Sequence, residues 1–198
     1  MRVARASLML IVGLLMVGGV ALIIAMVIWN LRPSSIPVLV APQPATSTSQ
    51  HGMNISSSMF GQGQAIPSTY TCHGAGKHPP LKFSDVPSHA VSLALVVNDP
   101  DAPSGDFVHW VIWNIDPKIG AINEGQIPSG AIQGRSSAGT NAWVPPCPPS
   151  GSHRYIFTLY AFDEKVALEQ GASREMLHSA TNGHVIATAT LTGVFTKP

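Results

Sequence analysis

Charge is scarce in this chain. Only 11% of its 198 residues are Asp, Glu, Lys or Arg, and two stretches, 8–29 and 33–50, contain none. Of the 11 Lys and Arg residues, Arg2, Arg5 and Arg32 flank the first of these stretches, which leaves eight beyond residue 50 against all ten acids. No basic stripe exists there, which excludes a nucleic-acid-binding surface as an expectation. Cysteine is limited to Cys72 and Cys147, with none placed to carry a lipid after the apolar run. Local repeats are absent. So is the G-x-S-x-G elbow of many hydrolases. The acidic run "DPDAPSGD" fails as a calcium loop, because prolines stand where ligands belong and the turn glycine is displaced.

Residues 8–29 are almost wholly Leu, Ile, Val, Met, Ala and Gly, and about 20 such residues cross a bilayer. Arg2 and Arg5 precede the run and only Arg32 follows closely, so the positive-inside bias favours a cytoplasmic N-terminus. A cleaved signal peptide is the rival reading, but no A-x-A-like site follows Trp29. The expectation is a short cytoplasmic segment (1–7), a single signal anchor (8–29), a Pro/Ser/Thr-rich semi-extended linker (30–50) and one extracytoplasmic domain (51–198), secreted if the anchor is cleaved. About 148 residues suffice for one domain with its own core. In an oxidising compartment the two cysteines suggest a disulfide; two separate buried thiols are the alternative.

The domain reads as mainly β. Val91, Leu93, Leu95 and Val97 alternate with smaller residues. Phe107, His109, Val111 and Trp113 are expected on one face of a second strand, with Val108, Trp110 and Ile112 on the other. Residues 154–162 and 184–195 have the same character. Between them "ASREMLHSATNG" reads as a helix with Ser173 as N-cap and Gly183 as its stop. An antiparallel sandwich follows.

Chemistry concentrates in "DPDAPSGDFVHWVIWN" (99–114) and "PPCPPSGSHRYIF" (145–157). Each is a proline-stiffened loop that runs into a strand with a histidine near its start. Proline fixes φ, so such loops hold polar groups ready for a ligand. His109 and His153 could clasp an anion, each ring oriented by a carboxylate, Asp99 or Asp101. The alternative is that the acids cap turns and both histidines are half-buried strand residues. Ser152 beside His153 suggests a nucleophile and base, but adjacent strand residues point to opposite faces.

The blocks "IPSTYTC" (66–72), "PPL" (79–81), "SLALVVNDPDAPSGDFVHWVIWNI" (92–115), "PPCPPSGSHRYIFTLYAFD" (145–163) and "GHVIATATLTG" (183–193) resemble the phosphatidylethanolamine-binding protein family, also called Raf kinase inhibitor-like, in its bacterial and archaeal branch. The resemblance begins near Met53. It implies two antiparallel sheets in a sandwich with short peripheral helices, here preceded by one transmembrane helix. It also implies a pocket for a small anion, phosphate or a phospholipid head group, lined by Asp99, Asp101, His109, Pro146, His153 and Tyr155. The chain departs from the family pattern at His73, His78, Ala142, Trp143 and Pro145. Pro145 in place of Gly removes a backbone donor. The extra histidines raise a metal site as an alternative, but without a known ligand spacing; no metal and no cofactor are expected. The resulting expectation is a membrane-anchored binding or regulatory domain and not an enzyme. The alternative is an exported protease or kinase inhibitor that docks on a protein partner through its Pro-rich loops, although an extracytoplasmic domain does not meet a cytoplasmic kinase. A hydrolase comes last.

Overall fold

The computed structural model describes residues 52–198. The expected N-terminal segment (1–7), membrane anchor (8–29) and linker (30–50) lie outside the described residues. Among the described residues no helix is long and apolar enough to cross a membrane.

The described residues form nine strands, one α-helix and two short 3-10 helices, Ser68–Tyr70 and Pro117–Ile119. In chain order the strands and the α-helix are β1 (Asn54–Ser56), β2 (Gln64–Ala65), β3 (Leu81–Ser84), β4 (Ser92–Asp99), β5 (Phe107–Ile115), β6 (Ala121–Ile122), β7 (Ile132–Gln133), β8 (Ser152–Phe162), α1 (Arg174–Ala180) and β9 (Val185–Thr196). They form a three-stranded sheet, β1-β3-β6, and a six-stranded sheet, β2-β9-β8-β4-β5-β7. All pairings are antiparallel except one: β2 runs parallel to β9, with Gln64 opposite Gly193 and Ala65 opposite Val194. The expectation of purely antiparallel sheets is corrected at this edge. A Cβ at position 193 would stand 2.5 Å from Ile66 Cγ1 and 2.8 Å from the Phe60 ring, so glycine is what lets the two segments close.

Leu93, Leu95, Val97, Tyr155, Phe157 and Leu159 face the small sheet and pack with Ile55, Leu81, Phe83 and Ile122. The other face of the large sheet buries Ala94, Val96, Val111, Trp113 and Phe162 against Val166 and Leu177 of the covering loop and helix. A strand covered on both sides has no polar face to show, which is why the middles of β4 and β5 carry apolar residues on both faces. Val91 departs from the expected alternation. It precedes β4 and is 46% exposed. Helix α1 begins as read, with the Ser173 hydroxyl accepting from the Met176 amide, and Gly183 follows its end at φ 87°.

The expected faces of β5 need a second correction. Asn98 pairs with Val108 but Val97 pairs with Trp110, and Leu93 pairs with Ile115 but Leu95 with Ile112. Each shift inserts one extra residue into β5, and the first of these is His109. Val108 therefore lies with Val111 and Trp113, while Trp110 lies with Ile112. The bulge at His109 cancels the two-residue period and turns the imidazole towards Tyr155, at 5.2 Å between ring centroids.

Candidate functional site

Because β4 is antiparallel to both β5 and β8, its C-terminal end meets the beginnings of both neighbours. Asp99, Phe107, His109, His153 and Tyr155 thereby come to one end of the sheet. With loops 100–106 and 144–149 they enclose a cavity of about 210 Å³. Cys72 and Cys147 form a disulfide with Cα atoms 5.4 Å apart. The bridge, the Cys72 N–H donating to Pro146 O (3.0 Å) and Trp143 Nε1–H donating to Gly76 O (3.0 Å) fix the second loop in place.

Asp99 and His153 are both buried, and His153 Nδ1 donates to Asp99 Oδ2 at 2.7 Å. The other oxygen, Oδ1, accepts the Asp101 amide at 2.8 Å. Asp99 therefore orients His153, as the sequence suggested. His109 is oriented differently. Its Nδ1 bonds to the backbone carbonyl of Val144 at 2.8 Å, and a carbonyl only accepts, so Nδ1 carries the proton. Nε2 is left unbonded. Burial pushes the His109 pKa below the ordinary imidazole value, outweighing the Val144 carbonyl and the Asp99 charge, with His153 lowering it further.

Asp101 corrects the expectation that it would orient a ring. Both its oxygens are taken by Arg154: Oδ2 by the backbone amide (2.9 Å) and Nε (2.8 Å), Oδ1 by Nη2 (2.7 Å). These bonds hold its carboxyl at about 2. It stands outside the cavity and ties the start of β8 to the first loop. Pro146 is likewise buried behind the wall, and Pro145, Pro148 and Pro149 form the surface instead. The sequence reading passed over Val144, Phe107 and Pro103 as site residues, although all three lie in or beside the two loops it singled out.

Tyr155 is wholly buried, and its hydroxyl has no hydrogen-bond partner; the Cys147 backbone amide lies beside it without closing a bond. Burial, with the Asp99 charge adding, pushes that hydroxyl far above the ordinary phenol value, so it stays a donor. The two extra histidines are elsewhere. His78 stacks on Trp110 at 4.6 Å with its ring nitrogens facing the Pro79 and Gln126 carbonyls, and His73 is exposed beside Phe195. Among the described residues no group of three or more His, Cys, Asp or Glu side chains could hold a metal ion. Ser152 is exposed while His153 is buried, so the two diverge as adjacent strand residues do.

The model of the phosphatidylethanolamine-binding protein family matches residues 56–196. A UPF0098 protein of Methanothermobacter thermautotrophicus is 45% identical over 150 residues, which is 73% of this chain and 99% of that protein. The protein described as lipoprotein LppC of Mycobacterium tuberculosis is 38% identical, over 78% of this chain and 75% of its own length. Among solved structures, the phosphatidylethanolamine-binding protein homologue CT736 of Chlamydia trachomatis superposes with a TM-score of 0.72 at 43% identity, covering 74% of this chain and 99% of that one. YbcL of E. coli gives 0.69 at 28% identity, over 74% and 99%. With its β-sandwich and the family's match over most of its length, the chain belongs to the phosphatidylethanolamine-binding protein family.

Proposed function

We propose that this domain is a binding module and not an enzyme, and that its pocket takes the phosphate of a small phosphorylated molecule or lipid head group. The observation that carries this reading is the Tyr155 hydroxyl. A buried donor without a partner costs stability, and an anion in the cavity would relieve it. His109 and His153 stand beside it with their Nδ1 protons fixed by Val144 O and Asp99. His109, held neutral by burial, can present a second donor at Nε2 only by taking up a proton. An anion would supply the charge that stabilises that proton, and hydrogen bonds of this kind contribute about 1.5–3 kcal/mol each. Among the described residues, Ser152 is exposed and turned away from the buried His153, which favours binding over turnover. The apolar run at 8–29 and the lipoprotein name of the mycobacterial relative support a membrane-held domain outside the cytoplasm.

The test is calorimetric titration of inorganic phosphate into the full chain in a neutral detergent. Saturable binding is expected, lost in both His109→Ala and His153→Ala. Titrations in two buffers of different ionisation enthalpy should show proton uptake on binding near neutral pH. Undiminished affinity in both variants would overturn the assignment.

A further inference from the structure

Helix α1 and the far end of β8 enclose a second cavity, of about 350 Å³, on the face of the large sheet that α1 covers. His153 stands at the start of β8, whereas Tyr160 and Phe162 of this cavity stand at its end. Their two rings lie in parallel planes, with centroids 6.2 Å apart and 3° between them. The His178 ring meets Tyr160 edge-on at 5.6 Å. Leu177, buried, and Val185, 44% exposed, supply the aliphatic sides. Thr181, Asn182 and Gly183 complete the lining just beyond the last turn of α1. The Thr181 hydroxyl is spent on Leu177 O at 2.8 Å. Asn182 is exposed, and the Gly183 amide makes no backbone hydrogen bond to a described residue. A Cβ on Gly183 would meet nothing within 4 Å, so the cavity is open on that side.

Among the described residues, no Asp, Glu, Lys or Arg lines this cavity. The charged groups next to it have partners of their own. His184 lies against Asp163 (2.9 Å) and Glu164 (3.5 Å), and Arg174, one turn before His178, against Asp106 and Glu175.

We infer that this cavity is a second small-molecule site, and that its ligand is an uncharged aromatic ring with an amide-like edge. Its volume falls among the ~300–1,000 Å³ of small-molecule pockets. An ion entering it would lose hydration with no opposite charge to replace the water, and the carbonyl end of α1 adds a partial negative charge that repels anions. A flat ring finds the Tyr160 ring, and aromatic pairing is worth roughly two- to tenfold in affinity beyond burial. The Asn182 side chain offers an acceptor and two donors, which a carboxamide answers with both kinds of group. The site shares no residue with the cavity at the start of β8, so it stands or falls separately from the phosphate reading.

The experiment titrates benzamide, benzoate and cyclohexanecarboxamide into the labelled full chain in a neutral detergent. The pH is 8, well above the ordinary imidazole value, and the NMR resonances of His178, Asn182 and Val185 are followed. Benzamide is expected to shift them saturably. Cyclohexanecarboxamide, of the same size and edge, should bind at least about threefold more weakly, and benzoate at least about tenfold more weakly. Val185→Trp should fill the cavity and lower benzamide affinity at least tenfold. Asn182→Ala, which leaves the apolar walls intact, should lower it severalfold. No shift at these residues, cyclohexanecarboxamide or benzoate binding as tightly as benzamide, or undiminished binding in both variants would each overturn the inference.

Discussion

Two buried histidines make this domain's stability depend on pH. Desolvation lowers the pKa of His109 and of His78 from the ordinary 6.5. The unfolded chain, with imidazoles near 6.5, then takes up protons before the folded one does. Stability conferred by these neutral rings is present above pH 6.5 and is lost as pH falls from there towards their folded values. Denaturation of the ligand-free protein should show a falling midpoint below about pH 6.5. Saturating phosphate should reduce this fall, because bound anion favours protonated His109. His109→Gln should flatten the ligand-free profile only in part, since His78 remains. A midpoint unchanged between pH 7 and 5 would contradict the buried, neutral state of both rings.

At the scale of strands and loops, the disulfide and the parallel edge carry the clearest expectations. The Cys72–Cys147 bridge spans 75 residues, and in the chain-entropy model such a link contributes about 4.5 kcal/mol. Reduction should lower the free energy of unfolding, read from denaturant melts, by an amount of that order. It should also weaken phosphate binding, because the freed loop carries the Val144 carbonyl that fixes His109. At the edge, Gly193→Ala should cost about 1–3 kcal/mol, measured by denaturant melts, since its methyl would strike Ile66 and Phe60. The strands β4, β8 and β9 and the helix cap at Ser173 were legible in the sequence, because long apolar periodicity and capping chemistry are local signals. The bulges in β5 were not. "FVHWVIWNI" alternates without a break, and only the pairing with β4 reveals that His109 and Trp110 share a side. The role of Asp101 was hidden for a similar reason. DPDAP sets two carboxylates two residues apart, and which one reaches a histidine depends on Arg154, 53 positions away.

The whole domain places the cavity proposed as its binding site at one end of the large sheet, where β4 finishes and β5 and β8 begin. A charge-poor apolar run precedes it in the chain. If that run anchors the protein with the domain outside the cytoplasm, a protease added to intact spheroplasts should degrade residues 51–198, and trapped extracts should contain the Cys72–Cys147 bridge already formed. A domain protected until the cells are lysed would contradict the orientation. The central claim, that the pocket is an anion site, is tested most directly by Tyr155→Phe read in two ways. With no partner for its hydroxyl, the ligand-free variant should be as stable as the wild type or up to about 1 kcal/mol more stable. Its affinity for phosphate should fall roughly tenfold or more, the loss of one hydrogen bond to an anion. A variant that is less stable yet binds phosphate unchanged would make Tyr155 a structural residue and contradict the account.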